Sequence, residues 1–569
     1  MNNKKITLLL TGILVLAFVV RIVYLDRHNF INDEVLNASR AIDWFDFFES
    51  ERQTTPVQWF ETRQWWQPLS FHDHPPFGFA LQFVFSRVLG DSVWALRFPF
   101  VFVGVLSVYA IFLLMRELTG RVEPGLVAAL LLSLHPGAVW ISRLALYDGL
   151  IVCFIILSWF FFLRALKRPR YFLAWGAMVG LALLTKYTFI FMLPFFGVYM
   201  LYKRAVFKEK SWWVGFAFML VILAPVIIYN IMLFKTRGHF DAALSSMLGM
   251  KPSDYVLIAE RVQGVALTNV LNLWESFALP FFSGMTMTIL VAAGFLYAFV
   301  RACIGPRRFV PIMLLIQALF VHVYFLFLEP ERRFFTIVIP LSVVFIAYAL
   351  YEISQSARAW YIQKKQGTPV RYLSYVPAVV MLVLVAVLFF EVRPLYSVPT
   401  YGYNELYVRV ADIFRGAVSP FHFSEWKDSQ VIEFQKKFQK RPAGFGWEKA
   451  HDNTAFILVD NRLDWVPRYW LSRRYYVNHL LTIFDVAMAV DVLAPQGITP
   501  ASFVTYGFDA FYFIEDLGEA DDTSRPELVE PFYILLDEVS KHPLVQSIET
   551  DVIKNAQGDP ALKIHVIRL

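Results

Sequence analysis

Long apolar stretches, separated by short charged ones, fill the first two-thirds of the chain. A membrane-spanning helix needs about 20 apolar residues. Stretches that reach or approach that length are 6–25, 97–115, 124–142, 147–163, 171–185, 187–202, 212–233, 278–300, 309–328, 334–351 and 372–391. They predict eleven transmembrane helices. Residues 76–89 are apolar but short, which fits an interfacial or re-entrant segment. Residues 171–202 are long for one helix and short for two, and a break at Thr185-Lys186-Tyr187 gives two short spans.

Charge fixes the orientation. Lys4 and Lys5 place the N-terminus in the cytoplasm. Alternating from there, Arg116 and Arg121, Arg164 to Arg170, Lys203 to Lys210, Arg301 to Arg308 and Arg358 to Arg371 all mark cytoplasmic loops, as the positive-inside rule requires. An odd number of crossings puts residues 392–569 outside. The first span could also read as a signal peptide, but Arg21, Tyr24 and Asp26 follow it where a small-residue cleavage site belongs, so it is read as uncleaved.

Three outer pieces result. Loop 26–96 carries a surface helix near 34–48, and loop 234–277 carries Lys235, Arg237, His239, Asp241 and Glu275. The C-terminal piece, 392–569, mixes strand-like runs at 455–459, 510–514 and 563–567 with helix-like runs at 465–474 and 531–541. That alternation predicts a small α/β domain beside a transmembrane domain over 1–391.

Composition narrows the class. Of 569 residues, 57% are hydrophobic and 17% charged, against about 25% charged in soluble proteins. Mean hydropathy is +0.51. The net charge of +6 sits in the loop clusters, so topology accounts for it and no nucleic-acid partner is implied. Cys153 and Cys303 are the two cysteines and indicate no disulfide framework. No internal repeat is evident, which argues against transporter folds built from repeated halves.

Candidate chemistry lies at the outer ends of the spans. Asp33-Glu34 is an adjacent carboxylate pair about eight residues past the first span. It could hold a divalent cation or take a proton, or be the solvated acidic first turn of a helix. Phe71-His72-Asp73-His74-Pro75-Pro76 opens the short apolar segment, and its histidines and aspartate suit a metal, a phosphate or a plain membrane-entry turn. In Ser142-Arg143-Leu144-Ala145-Leu146-Tyr147-Asp148, Arg143 could bind phosphate and Asp148 a sugar hydroxyl, or the two could pair with each other. Lys186 is flanked by apolar sequence and either binds an anion or snorkels to the interface. Arg332 and Arg333 in an outer turn suit a lipid phosphate or an anchoring role. His239 and His322 read as structural.

Taken in order, these pieces resemble the integral-membrane glycosyltransferases of the GT-C fold. The resemblance is to the bacterial family related to protein O-mannosyltransferases and to the lipid A aminoarabinose transferase. It rests on Asp33-Glu34, His74-Pro75-Pro76-Phe77, Gly90 with Arg97-Phe98-Pro99, the Ser-Arg-x-Ala-x-x-Asp run ending at Asp148, the run from Gly180 to Lys186, and Arg333-Phe334 with Pro340. It is best over 1–200 and weak in the C-terminal piece. Phe334 stands where the family usually has Tyr.

The resemblance implies transfer of a sugar from a polyprenyl-phosphate donor to a lipid A, glycan or protein acceptor at the outer face of the inner (plasma) membrane, by inversion. Asp33 would act as general base, with Glu34 assisting it or binding a divalent metal. Arg143, Lys186, Arg332 and Arg333 would stabilise the leaving phosphate, and His74 and Asp148 would contact substrate. The competing readings are a non-catalytic scaffold that uses the C-terminal piece for partners, which needs none of Asp33, Arg143 and Lys186, and a lipid or solute transporter. Its charges should lie at mid-membrane on interrupted helices, whereas these cluster at span ends.

Overall fold

The structure, a computed structural model, describes residues 2–26, 32–46, 54–60, 62–90, 92–255, 285–304, 309–324, 336–364, 376–396, 455–459, 481–485, 504, 510–517, 529–554 and 558–569. The chain forms two compact units. One comprises Met1–Leu25 and Trp66–Ser397, the other Asp26–Trp65 and Val398–Leu569.

In chain order the main helices are α1 (Asn3–Ile22), α2 (Asn32–Asp43), α3 (Phe77–Leu89), α4 (Val93–Thr119), α5 (Glu123–Leu134), α6 (Pro136–Ile141), α7 (Asp148–Lys167), α8 (Phe172–Leu183), α9 (Leu193–Tyr202), α10 (Lys210–Arg237), α11 (Ala242–Met247), α12 (Met285–Ile304), α13 (Phe309–Tyr324), α14 (Ile339–Lys364) and α15 (Val376–Val392). After them come strands β1 (Ala455–Val459), β2 (Leu481–Asp485) and β3 (Ala510–Asp516), helix α16 (Val529–Ser540), and strands β4 (Ser547–Lys554) and β5 (Pro560–Arg568). All but α2 among helices α1–α15 belong to the first unit.

Among the described residues, five helical stretches are long and apolar enough to cross a membrane: Asn3–Ile22, Val93–Thr119, Asp148–Lys167, Lys210–Arg237 and Thr336–Ala357. Five more apolar helices are shorter, from Phe77–Leu89 to Val310–Phe320. Parts of the spans expected over 278–300, 309–328 and 372–391 lie outside the described residues, and local breaks shorten two of the others. The single span expected over 124–142 stops at His135, because Pro136 cannot continue the hydrogen-bond ladder; His135 Nδ1 then accepts the Ala138 N–H at 3.3 Å to start α6. The predicted break near Lys186 is present. Thr185 Oγ1 donates to Leu181 O at 2.7 Å, Lys186 is extended (φ −159°, ψ 129°), and a 3₁₀ turn over Tyr187–Met192 leads into α9.

Ordinary capping sets the other ends. Ser92 accepts the Ala95 N–H at the start of α4, and Gly120 ends that helix in the left-handed conformation, which only glycine enters without strain. Small residues allow the closest helix approach. A Cβ on Gly176 of α8 would lie 2.0 Å from the Gly215 carbonyl of α10, so these helices touch backbone to backbone.

Two buried arginines tie the first span into the bundle. Arg21 donates from Nε to Ser142 Oγ at 2.8 Å and from its terminal nitrogens to the carbonyls of Ala17, Ser133 and Leu132 at 3.0–3.1 Å. It thereby caps the interrupted C-terminus of α5, and Gly104 leaves room for it, since a Cβ there would sit 2.9 Å from Arg21 Nε. Arg143 returns the favour to α1, donating to the carbonyls of Val20, Arg21, Val23 and Tyr24 at 2.6–3.5 Å. The Tyr396 ring lies 4.7 Å from its guanidinium. Cations at helix C-termini are favoured by the carbonyl dipoles gathered there.

The second unit contains a five-stranded sheet of order β2-β1-β3-β5-β4. β1 runs parallel to β2 and β3, while β5 is antiparallel to β3 and β4. Phe511, Phe513, Ile514, Leu562 and Ile567 form its buried centre, and Phe532 of α16 meets Phe513 edge-on at 5.9 Å. The strand-like runs at 455–459, 510–514 and 563–567 thus fall on β1, β3 and β5, and the run at 531–541 on α16. The helix expected at 465–474 lies outside the described residues. Helix α2 forms where a surface helix was expected, but it is not solvated: Glu34, Val35, Ala38, Arg40 and Ala41 are fully buried.

Candidate active site

In the first unit, polar side chains gather where α3 and α7 begin and where α8 and α10 end. Pro75 and Pro76 fix the chain entering α3, and the Phe77 N–H donates to Leu184 O at 2.9 Å, pinning this entry to the segment that carries Lys186. Gly78 lets α3 lie on Tyr147, since a Cβ at that position would come within 2.5 Å of the ring. The Tyr147 hydroxyl donates to Gln82 Oε1 at 3.0 Å. Next in sequence, Asp148 opens α7, where the helix dipole favours a carboxylate.

Lys186 Nζ meets Asp148 Oδ1 at 2.7 Å, with the side chains 15% and 6% exposed. Asp148 thus pairs with Lys186 and not with Arg143. The Arg143 guanidinium is turned to the α1 carbonyls. His74 packs near Tyr147, the residue before Asp148. Its ring is edge-on to Tyr147 at 6.4 Å, and its Nδ1 is 3.3 Å from Asp73 Oδ1.

A second network begins at the next residue, Tyr187. Tyr187 donates to Asp241 Oδ2 at 2.6 Å, Asn230 Nδ2 donates to the same oxygen at 2.7 Å, and the Leu244 N–H donates to Asp241 Oδ1 at 2.8 Å. The Asp241 N–H donates back to Asn230 Oδ1 at 2.8 Å. Burial pushes the Asp241 carboxyl above its usual range and Asp73 adds to this, against the three hydrogen bonds that favour the anion. The Ala242 N–H donates to His72 O at 2.6 Å, tying the 72–74 turn to the same loop. Further along, Asp254 receives Arg237 NH2 at 2.8 Å and lies 2.8 Å from His239 Nε2. Burial raises the Asp254 carboxyl, but these two partners outweigh it and hold the group below its ordinary value.

Asp33 and Glu34 occupy the first turn of α2 in the second unit. Asp33 is half-buried and Glu34 is fully buried. Arg332 and Arg333 lie outside the described residues. Among the described residues no three His, Cys, Asp or Glu side chains are grouped to hold a metal ion. Asp33 and Glu34 alone fall short of a cage of six to eight oxygens.

The sequence reading named Asp148, Lys186 and His74 but not the residues that contact them. Asn230 carried a signal, since a lone amide in an apolar helix is costly unless partnered. Tyr187, Gln82 and Tyr147 carried none, because aromatic and amide residues at helix ends are common.

Comparison with known proteins bears on this stretch. Residues 73–229 match the family model described as dolichyl-phosphate-mannose-protein mannosyltransferase. Two Bacillus subtilis relatives, YycA and YkcB, whose names propose a mannosyltransferase, are 32% identical over 142 residues and 27% identical over 169 residues. Those matches cover 24% and 28% of this chain and 21% and 23% of the relatives, so the chain spans about a fifth of the relatives' length. Among solved structures, ArnT from Cupriavidus metallidurans bound to undecaprenyl phosphate superposes with a TM-score of 0.52 at 16% identity, covering 99% of this chain and 98% of ArnT. The oligosaccharyltransferase of Archaeoglobus fulgidus, in complex with Zn and sulfate, gives 0.54 at 15% identity over 89% of this chain and 68% of that one. The same archaeal enzyme with an inhibitory peptide and a dolichol-phosphate gives 0.53 at 14% identity, over 90% of this chain and 69% of that one. The fold is thus shared with GT-C glycosyltransferases.

Proposed function

We propose that this chain is an integral-membrane glycosyltransferase that moves a sugar from a polyprenyl-phosphate donor to a lipid, glycan or protein acceptor on the extracytoplasmic face. One observation carries the reading. Within the stretch that matches the mannosyltransferase model, Lys186 and Asp148 form a mostly buried ion pair, and His74 packs edge-on against Tyr147, the residue before Asp148. A cation held there suits a phosphate that must leave with two negative charges. A family model and a shared fold of transferases also favour transfer over transport.

The chemistry asks for a nucleophile at the anomeric carbon and a phosphate that departs. The acceptor oxygen forms the new bond to that carbon. The anomeric carbon–oxygen bond to phosphate breaks, and its electron pair leaves with the phosphate. Asp33 takes the acceptor's proton, with Glu34 assisting, and a single displacement inverts the centre. A placed base contributes about 10²–10⁴-fold. Lys186, set in place by Asp148, stabilises the charge that builds on the phosphate, and Arg332 and Arg333 would add to it. His74 and Asp148 orient the sugar. If the acceptor is itself a phosphate, no base is required and Asp33 becomes a positioning group. The N-terminus is cytoplasmic and residues 392–569 are extracytoplasmic in this reading.

The test is turnover of a synthetic polyprenyl-phosphate mannose in native membranes, followed by release of polyprenyl phosphate. Lys186→Ala is expected to lower kcat by about 10²–10³-fold, the cost of one preorganised charge donor, and Asp33→Asn by about 10²-fold or more. Wild-type turnover retained in both variants would remove them from the site. Counterflow of labelled donor lipid without sugar transfer would favour the transporter instead.

A further inference from the structure

We propose that Asp241 is a positioning residue for Lys186, acting through Tyr187. The inference rests on the transfer reading above, in which Lys186 is the group that meets the leaving phosphate. It begins with the backbone at the break between α8 and the following 3₁₀ turn. Lys186 is extended there, at φ −159° and ψ 129°, and Tyr187 opens the 3₁₀ turn. Lys186 reaches Asp148 and, next in sequence, Tyr187 reaches Asp241. Fixing the Tyr187 hydroxyl fixes the rotation of this short connector, and with it where the Lys186 amine stands.

Asp241 does more than a helix cap requires. The start of α11 needs one side-chain oxygen, and Oδ1 supplies it to the Leu244 N–H; asparagine or serine caps equally well. The second oxygen takes the Tyr187 hydroxyl and the Asn230 amide. Keeping a carboxylate here is costly. The residue is fully buried, and among the described residues no Lys or Arg forms an ion pair with it. Asn230 holds the arrangement in one sense only. Its Oδ1 accepts the Asp241 N–H while its Nδ2 donates to the carboxylate, so the amide cannot flip without losing both contacts.

The same loop reaches the other half of the site. The Ala242 N–H, one residue on, donates to His72 O, and the α3 entry below His74 is bonded to Leu184 O. Three segments that are distant in sequence, at 72–77, 184–187 and 230–242, are thereby joined into one hydrogen-bonded ring with Asp241 at its centre. A displacement of about 1 Å in such a support is enough to cost about 10²-fold in rate.

The experiment compares Asp241→Asn, Tyr187→Phe and the double variant in native membranes with polyprenyl-phosphate mannose as donor. Asp241→Asn keeps the oxygen for Leu244 but sets an amide against the amide of Asn230. Tyr187→Phe removes one hydroxyl and keeps the ring. Each is expected to lower kcat by about 10²-fold with the donor KM unchanged, and the double variant should lose no more than the worse single one. Unchanged kcat, a loss confined to KM, or losses that multiply would overturn the proposal. Hydrogen exchange without donor gives an independent arm, in which faster exchange across 184–190 and 72–77 in either variant supports it and unchanged exchange overturns it. A wild type that turns over no donor would refute the transfer reading, and the exchange arm would still decide the role of Asp241.

Discussion

Replacing Lys186 by alanine leaves the Asp148 carboxylate, with its side chain only 6% exposed, without the amine that now lies 2.7 Å away. At that distance the gross attraction is about 6 kcal/mol at the effective dielectric typical of protein sites. Taking both ions from water costs several kcal/mol each, so the pair as a whole comes out near zero. The asymmetry between single and double replacement follows from this. Lys186→Ala should destabilise the first unit by about 3–5 kcal/mol, because one buried charge is stranded. Lys186→Met combined with Asp148→Leu should come within about 1 kcal/mol of wild type or exceed it, while losing turnover altogether. Unfolding by SDS titration in mixed micelles, followed by tryptophan fluorescence, measures the two differences. A single variant that loses less than about 1 kcal/mol, or a double variant as unstable as the single, would refute the claim that the pair serves the site rather than the fold.

Three further outcomes are expected. Gly176→Leu should prevent assembly of α8 against α10, seen as loss of the folded fraction in detergent, because even a Cβ would lie 2.0 Å from the Gly215 carbonyl; overpacking of this kind costs about 1–3 kcal/mol or more. In the second unit, burial raises the Glu515 carboxyl, but hydrogen bonds from His565 and Tyr533 and the charge of Lys563 bring it below its ordinary value of 4.5. A depressed carboxyl contributes stability that is fully present above that value and is lost as pH falls through the folded one; Glu515→Gln should therefore flatten the acid side of the unit's stability curve, measured by thermal unfolding between neutral and acidic pH. Cys303 is exposed and Cys153 is buried, so a membrane-impermeant maleimide should label Cys303 only in opened cells if that loop is cytoplasmic, and labelling in intact cells would reverse the proposed orientation.

Much of the helical layout is legible because its determinants are local. The break at Lys186 follows from a charge inside apolar sequence, and the start of α3 from two prolines. Pro136 carried the same kind of signal, yet the apolar run on either side of it reads as one span over 124–142. The sheet is legible only at its centre. β3 and β5 are rich in β-branched and aromatic residues, whereas β4 reads Ser-Ile-Glu-Thr-Asp-Val-Ile-Lys, a polar alternation that suits an edge strand and resembles a loop.

The site divides the same way, between what a residue is and what it faces. An arginine at membrane depth announces that something must satisfy it, but not whether that is a ligand's phosphate or a helix's own carbonyls. Arg143 and Lys186 carry the same sequence signal and make different contacts. Arg143 has a fork of donors that matches the row of carbonyls at the end of α1. Lys186 has a single amine, which meets the Asp148 carboxylate. A planar guanidinium suits several fixed acceptors and an ammonium suits a point contact. Which cation is structural therefore depends on whether a helix C-terminus lies within its reach, and for Arg143 that helix is 120 residues away in the chain.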